Sequence, residues 1–226
     1  MGGILEEIAY CIVNGKINVH SPFPPKLQGK NGAYELTREA LDSGIPPGKV
    51  LSEGLVRGMD TIGKKFRNNE VFVPEVLMAA KAVGAAMVHL RLYYSSGEVK
   101  PRGKFIVGTV LGDLHDVGKN LVAMMVEGSG WEVIDLGTDV STEKFMDALK
   151  ENPGAIVGLS ALLTTTMGNM NSTVSAIKKE YPRTKIIVGG APLSEDFGKK
   201  IGADFYSSDP QGAVEFLNTL YNKNNN

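Results

Sequence analysis

KFIVGTVLGDLHDVGKNLV, residues 104–122, reads as a strand, a turn and a helix. The first part is an apolar run without polar alternation, the pattern of a strand covered on both faces. The last part is apolar and helix-like, and the turn between them carries Asp113, His115, Asp116, Gly118 and Lys119. Four more short apolar runs follow: EVIDLG, AIVGLS, KIIVGG and ADFYSS, separated by helix-like segments, with a last helix over 213–221. Five such runs alternating with helices predict a parallel sheet with helices on both faces. Ligands of such sheets sit outside the carboxyl ends of the strands. GDLHDVG, GTD (137–139), SALLTTT (160–166) and GGAP (189–192) are therefore expected along one edge.

Upstream the pattern changes. Ile4, Leu5, Ile8, Cys11 and Ile12 form a helical stripe that Gly15 can stop. Asn31 can cap a second helix bearing Leu36, Ala40 and Leu41, ended by Gly44 and the prolines at 46 and 47. A third helix carries Leu51, Leu55, Met59, Ile62 and Phe66 on one face. Pro74 suits the first turn of a fourth, with Leu77, Ala80, Val83, Met87 and Leu90 expected inward. The organisation predicted is a four-helix bundle over 1–93, a polar Gly/Pro-containing linker over 94–102, and an α/β domain over 103–226. INVHSPFPPKLQGKN, 17–31, lacks any period and is expected as a long loop, either a solvated insertion or a docking surface. His20 within it reads as an ordinary surface histidine. The asparagine tail, 224–226, is expected to be disordered.

The chain has 226 residues, 42% of them hydrophobic, and a net charge of -1 with scattered basic residues. That balance argues against a nucleic-acid grip. One cysteine cannot form an internal disulfide, which suits a reducing, cytoplasmic setting. No signal-like N-terminus is seen, and no apolar run is expected to reach the roughly 20 residues that span a bilayer.

The chemistry at the predicted edge narrows by comparison. A phosphate-binding loop needs four residues between its glycine and Gly-Lys-Ser/Thr. Here five residues separate Gly112 from Gly118, Asn120 replaces the hydroxyl, and two aspartates would repel phosphate. No G-x-G-x-x-G follows the first strand. Asp113, His115 and Asp116 could bind a metal, but no second His or Cys falls at a strand end. A receiver-like aspartate site normally has a lysine where GGAP stands. A lone histidine is usually structural. It suffices, however, for a metal already held in a macrocycle, with Asp113 placed to set its tautomer.

D-L-H-D-V-G at 113–118, S-A-L at 160–162 and G-G at 189–190 resemble, in order and spacing, the D-x-H-x-x-G … S-x-L … G-G signature of cobalamin-binding domains. EGLVRGMDTIGKKFRNNEVFVPEVLMAA, 53–80, resembles the helical domain that precedes them in cobalamin-dependent methionine synthase and in small corrinoid proteins of methyltransferase systems. Loop 17–31 departs from that pattern, where a short joint is usual.

The resemblance implies a Rossmann-like, flavodoxin-like five-stranded domain behind a four-helix cap. It implies cobalamin or a related corrinoid bound base-off, with His115 as the cobalt's lower ligand, Asp113 hydrogen-bonded to it, and Thr166 closing a relay toward solvent. Gly112, Leu114, Asp116, Val117 and Gly118 would complete the lower loop. Ser160, Leu162, Thr164, Gly189 and Gly190 would line the slot for the nucleotide tail, with Asp209 and Pro210 at its rim. Glu53, Phe66 and Val73 would face the corrin's upper side.

The function implied is a methyl carrier, not catalytic alone. It would be loaded on Co(I) by a substrate methyltransferase, unloaded by a corrinoid:acceptor methyltransferase to tetrahydrofolate or a thiol, and rescued by a reductive activase. Neither nucleic acid nor membrane is expected as a partner. The favoured donor is a methoxylated aromatic (O-demethylation), with methylamine, methanol and betaine systems as alternatives. A cobalamin-binding sensor and a receiver-like module are the alternatives from other classes.

Overall fold

The computed structural model describes residues 3–224 and divides into two compact units. One runs to Pro101 and includes Glu127–Gly130; the other comprises Arg102–Val126 and everything from Trp131 onward.

The first unit is helical: α1 (Ile4–Val13), α2 (Ala33–Asp42), a single turn α3 (Pro47–Lys49), a wider π-helical stretch (Val50–Val56) running into α4 (Arg57–Arg67), and α5 (Val73–Ser95). Two glycines let the first helix pack closely on the third helical segment. A Cβ on Gly58 would lie 2.6 Å from Ile12 Cβ, and one on Gly54 3.0 Å from Ile8 Cγ2, so α1 sits directly on the backbone of the third helical segment. Leu55, Met59 and Ile62 are fully buried there, whereas Leu51 and Phe66 are half-buried.

Several local expectations are corrected. Gly32, not Asn31, precedes α2, and its N–H donates to Glu35 Oε2 (2.9 Å). Asn31 is exposed, and the same Glu35 carboxylate also accepts from Val19 N (3.1 Å) and ties the 17–31 loop to the helix start. That loop contains a 3-10 turn, Pro25–Leu27, and buried Lys16 donates to Ser21 O (3.0 Å) at its base. His20 is exposed, as expected.

On α5 the buried side chains are Val76, Ala79, Ala82, Val83, Ala86 and Leu90. Leu77, Ala80 and Met87 are only half-buried, because a helix apolar nearly all round carries no period to fix its inward face. Against expectation, α5 is long and apolar enough to cross a membrane by length and composition, although its Val76–Leu90 face is packed within the bundle. It also runs to Ser95, into the predicted linker.

The second unit contains β1 (Lys104–Thr109), α6 (Val117–Gly128) except its last two residues, β2 (Glu132–Asp135), α7 (Thr142–Glu151), β3 (Ile156–Ser160), α8 (Met167–Glu180), β4 (Ile186–Gly189), α9 (Glu195–Lys200), β5 (Phe205–Ser207) and α10 (Pro210–Asn224). The last helix thus begins three residues before the predicted start and takes in Asn224; the other two tail residues lie outside the described residues. All pairings are parallel, in the order β2-β1-β3-β4-β5, the flavodoxin-like arrangement.

The two faces of this sheet differ. Ile106, Val157, Leu159, Ile186 and Val188 form one close-packed face with Phe145 and Leu149 of α7 and Met170 and Val174 of α8. The other face bears Gly158, Ser160 and Gly189, residues too small to fill the space beneath α6 and α10. A cavity of about 380 Å³ results. It opens where the strand order reverses between β1 and β3.

Candidate corrinoid site

The loop between β1 and α6 is fixed from several sides. Gly112 N–H donates to Asp139 Oδ1 (2.7 Å), Asp139 N–H donates to Asp113 O (3.0 Å), and Asn169 Nδ2 donates to Leu111 O (2.8 Å). Buried Thr109 donates its hydroxyl to His115 O (2.8 Å). Asp116 accepts from both the backbone (2.7 Å) and side chain (3.0 Å) of Asn120, so it braces the start of α6. Lys119, also buried, reaches Asp135 Oδ2 at 2.5 Å and Asn120 Oδ1 at 2.6 Å. Asp139, Asn169 and Thr109 are supports that the sequence does not announce: all three act on backbone groups of the loop, Asp139 and Asn169 from far along the chain and Thr109 from the strand just before it.

Asp113 is the hub. Its Oδ1 accepts from His115 N (3.1 Å) and lies 2.8 Å from His115 Nδ1. Its Oδ2 accepts from Leu162 N (2.7 Å), Leu163 N (3.1 Å) and Thr166 Oγ1 (2.9 Å). Complete burial alone would raise the Asp113 carboxyl. The Leu162 N–H, the His115 ring and the remaining donors outweigh it and hold the carboxyl well below the usual carboxylate range. The group is therefore an ionised acceptor, and Nδ1 must carry the proton. His115 is left with a lone pair on Nε2, on a side chain 51% exposed.

Large apolar side chains near this histidine in the sequence, or on the loop that shares Asp113 with it, are exposed. Leu114 (74%), Val117 (72%), Leu111, Leu162 and Leu163 are all exposed on the two loops joined at Asp113. An apolar patch of this kind marks a surface that meets a ligand or partner.

Residues 103–214 match a family model described as a B12 binding domain, and residues 29–91 match a second model with the same description. A corrinoid protein of Desulfitobacterium hafniense (strain Y51) is 34% identical over 97% of this chain and 98% of its own length. The chain belongs to the B12-binding corrinoid proteins. The trimethylamine corrinoid protein of Methanosarcina barkeri is 37% identical over 84% of this chain and 89% of that one. Among solved structures, a cobalamin-binding protein from Desulfitobacterium hafniense DCB-2 aligns with a TM-score of 0.73 and 30% identity over 95% of this chain and 97% of that one. The methanol:cobalamin methyltransferase complex MtaBC of Methanosarcina barkeri aligns at 0.80 and 23% identity over 97% and 80%, a likeness of fold.

The residues of this corrinoid protein fit the cofactor. Among the described residues no cluster of three or more His, Cys, Asp or Glu could hold a bare metal ion, and His115 offers one lone pair. Such a donor set suits a cobalt whose equatorial ligands come with the corrin. Gly118 lines the cavity, and a Cβ there would meet nothing within 4 Å. Gly190, also lining it, has φ +134, and its Cβ would fall 1.8 Å from Ala161 O.

Of the predicted slot residues, Ser160, Gly189, Gly190, Asp209 and Pro210 line the cavity. Leu162 and Thr164 do not; both are exposed beyond the end of β3, and Leu162 contributes its backbone N–H to Asp113 instead. Thr166 is buried, and its hydroxyl lies 2.9 Å from both Asp113 Oδ2 and Leu163 O, so it helps to enclose the carboxylate. Glu53, Phe66 and Val73 belong to the helical unit. Glu53 is exposed and lies 3.8 Å from Lys49 Nζ; Phe66 and Val73 are half-buried. Cys11 is buried there, and burial pushes its thiol up to about 11, which keeps it unreactive.

Proposed function

We propose that this chain is the methyl carrier of a methylamine-type methyltransferase system, with its corrinoid held base-off and His115 Nε2 on the cobalt. The observation that carries this is the His115 ring, committed through Nδ1 to an ionised, fully buried Asp113 on a side chain that is itself half exposed. When bound, the corrinoid supplies a cobalt that takes up and gives up methyl groups.

Asp113 keeps the proton at Nδ1 and so keeps Nε2 available; it also gives that proton a stable acceptor if the imidazole becomes charged. Leu111, Leu114 and Val117 exclude water from the cofactor's lower side. Gly118, Ser160, Gly189 and Gly190 leave room for the nucleotide tail, and Asp209 and Pro210 stand at its rim. Two methyltransferases and a reductive activase are the partners this role requires. The single free cysteine suits the cytoplasm.

The donor class is drawn from the relatives, several of which are named trimethylamine or dimethylamine corrinoid proteins. They favour methylated amines over the methoxylated aromatics expected from sequence. The test is to supply the reduced holoprotein with purified amine and methoxyaromatic methyltransferases and their isotopically labelled donors. Label appearing in the protein fraction with an amine pair only is the expected result. Label from a methoxyaromatic donor only assigns the other class, and no label from any donor overturns the carrier role.

A further inference from the structure

Among the sheet residues that line the cavity under α6 and α10, one sits deepest. Register places Phe105 and Val107 of β1, Gly158 and Ser160 of β3, and Ile187 and Gly189 of β4 on one face of the sheet, and all six line the cavity. Ser160 and Gly189 pair at the open, carboxyl end. Gly158 lies two residues deeper, roughly 7 Å along the strand. Phe105 pairs with Ile156, deeper still, but its ring leans up the sheet: a Cβ on Gly158 would stand 2.4 Å from Phe105 Cζ. The ring thus occupies the space that the missing Gly158 side chain leaves, and Phe105 is 1% exposed. Gly158 opens no extra depth; it makes room for the aromatic floor.

We infer that Phe105 is a specificity-determining residue for the cofactor's terminal base, setting how large a ring system the slot admits. The inference rests on the proposed base-off reading, in which the tail enters this slot. A planar aromatic floor meeting a planar aromatic base favours bicyclic rings that end at Phe105 and penalises a base one ring longer. Enlarging the occupant of a close-packed interior forces neighbours off their rotamers, which costs enough to reduce affinity about tenfold or more.

The experiment is equilibrium binding, followed by the cofactor's visible absorbance, of four probes: cobinamide, which lacks the tail, and cobamides carrying benzimidazole, 5,6-dimethylbenzimidazole and naphthimidazole. The wild-type chain is expected to bind the two bicyclic cobamides more tightly than cobinamide and to bind the naphthimidazole form about tenfold or more weakly than the benzimidazole form. Phe105→Leu shortens the floor and should bring these two to within about threefold, with cobinamide affinity unchanged.

A thermal melt of the apoprotein verifies that the variant folds. If it does not, Phe105→Met, which keeps bulk but flexes, takes its place with the same expected result. Equal wild-type affinity for cobinamide and the bicyclic cobamides would sink the base-off reading itself. A tail preference that is present, with selectivity between bases unmoved in a folded Phe105 variant, overturns only the role of Phe105.

Discussion

Asp113 holds His115 twice through one oxygen: Oδ1 accepts the His115 backbone N–H at 3.1 Å and faces the ring Nδ1 at 2.8 Å. Both contacts lie within one loop, but Oδ2 is held by a different loop, through Leu162, Leu163 and Thr166. The orientation of the proposed cobalt ligand therefore depends on β1 and β3 being paired correctly. A carboxylate at this point accepts on both oxygens, which no neutral side chain of its shape can do.

Asp113→Asn makes that dependence measurable. Three donors surround Oδ2, so the amide oxygen turns to them and its NH2 group faces His115. Nδ1 then accepts, the ring proton moves to Nε2, and the lone pair for cobalt is lost. The expected outcome is a holoprotein whose absorbance no longer shows histidine ligation, and an apoprotein less stable by about 3 kcal/mol in urea unfolding.

Acid unfolding carries the same signature. The folded-state pKa of Asp113 lies below its ordinary value of 3.8, so its stabilisation is complete above about pH 4 and is lost as pH falls further. Apoprotein melting temperatures measured downward from pH 6 should therefore decline more steeply in wild type than in Asp113→Asn. Asp204 and Glu35 are shifted in the same direction, and some acid dependence should persist in the variant.

Thr166 divides packing from hydrogen bonding. Thr166→Val keeps the shape and removes the hydroxyl on Asp113 Oδ2, and should cost about 1–2 kcal/mol in urea unfolding. Thr166→Ser retains the hydroxyl and should recover most of the holoprotein's ligation, although it loses a buried methyl group. If valine and serine behave alike, the hydroxyl has no part in holding Asp113.

Much of this arrangement is legible in the sequence, for identifiable reasons. The central strands β1, β3 and β4 are buried and show as apolar runs, and the edge strands β2 and β5 follow from their spacing between helical segments. Asp113 and His115 are two residues apart, and their pairing needs no knowledge of tertiary structure. What supports them is non-local: Asp139 and Asn169 act on the backbone of the 111–113 segment, and Leu162 acts through its N–H. Side-chain motifs cannot show a backbone donor such as Leu162 N–H; the place of Leu162 and Thr164 in the slot is what the resemblance implies, and both are exposed beyond the end of β3. Gly158, on the same face as Ser160, was open to discovery by counting alternate residues along AIVGLS. The inward face of α5 was not, because its apolar residues surround the helix.

Two glycines of the slot should respond oppositely to alanine. At Gly118, near the start of α6, a Cβ meets nothing within 4 Å, so Gly118→Ala should stabilise the apoprotein by about 0.5–1 kcal/mol through helix propensity. The same methyl enters the cavity, and corrinoid affinity should fall. At Gly190 the left-handed backbone and the 1.8 Å approach to Ala161 O leave no place for a Cβ. Gly190→Ala should destabilise the apoprotein by about 3 kcal/mol or more. Thermal melts and cofactor titrations of both variants check the contrast.

The most direct measurement of His115 ligation is electron paramagnetic resonance of the cobalt(II) holoprotein, made from chain labelled with 15N-histidine and unlabelled corrinoid. Ligation through Nε2 predicts that each parallel cobalt line splits into a doublet, because the axial nitrogen is the protein's 15N; His115→Ala should remove that doublet. A triplet in the labelled protein, the mark of the cofactor's own 14N base, would contradict the account.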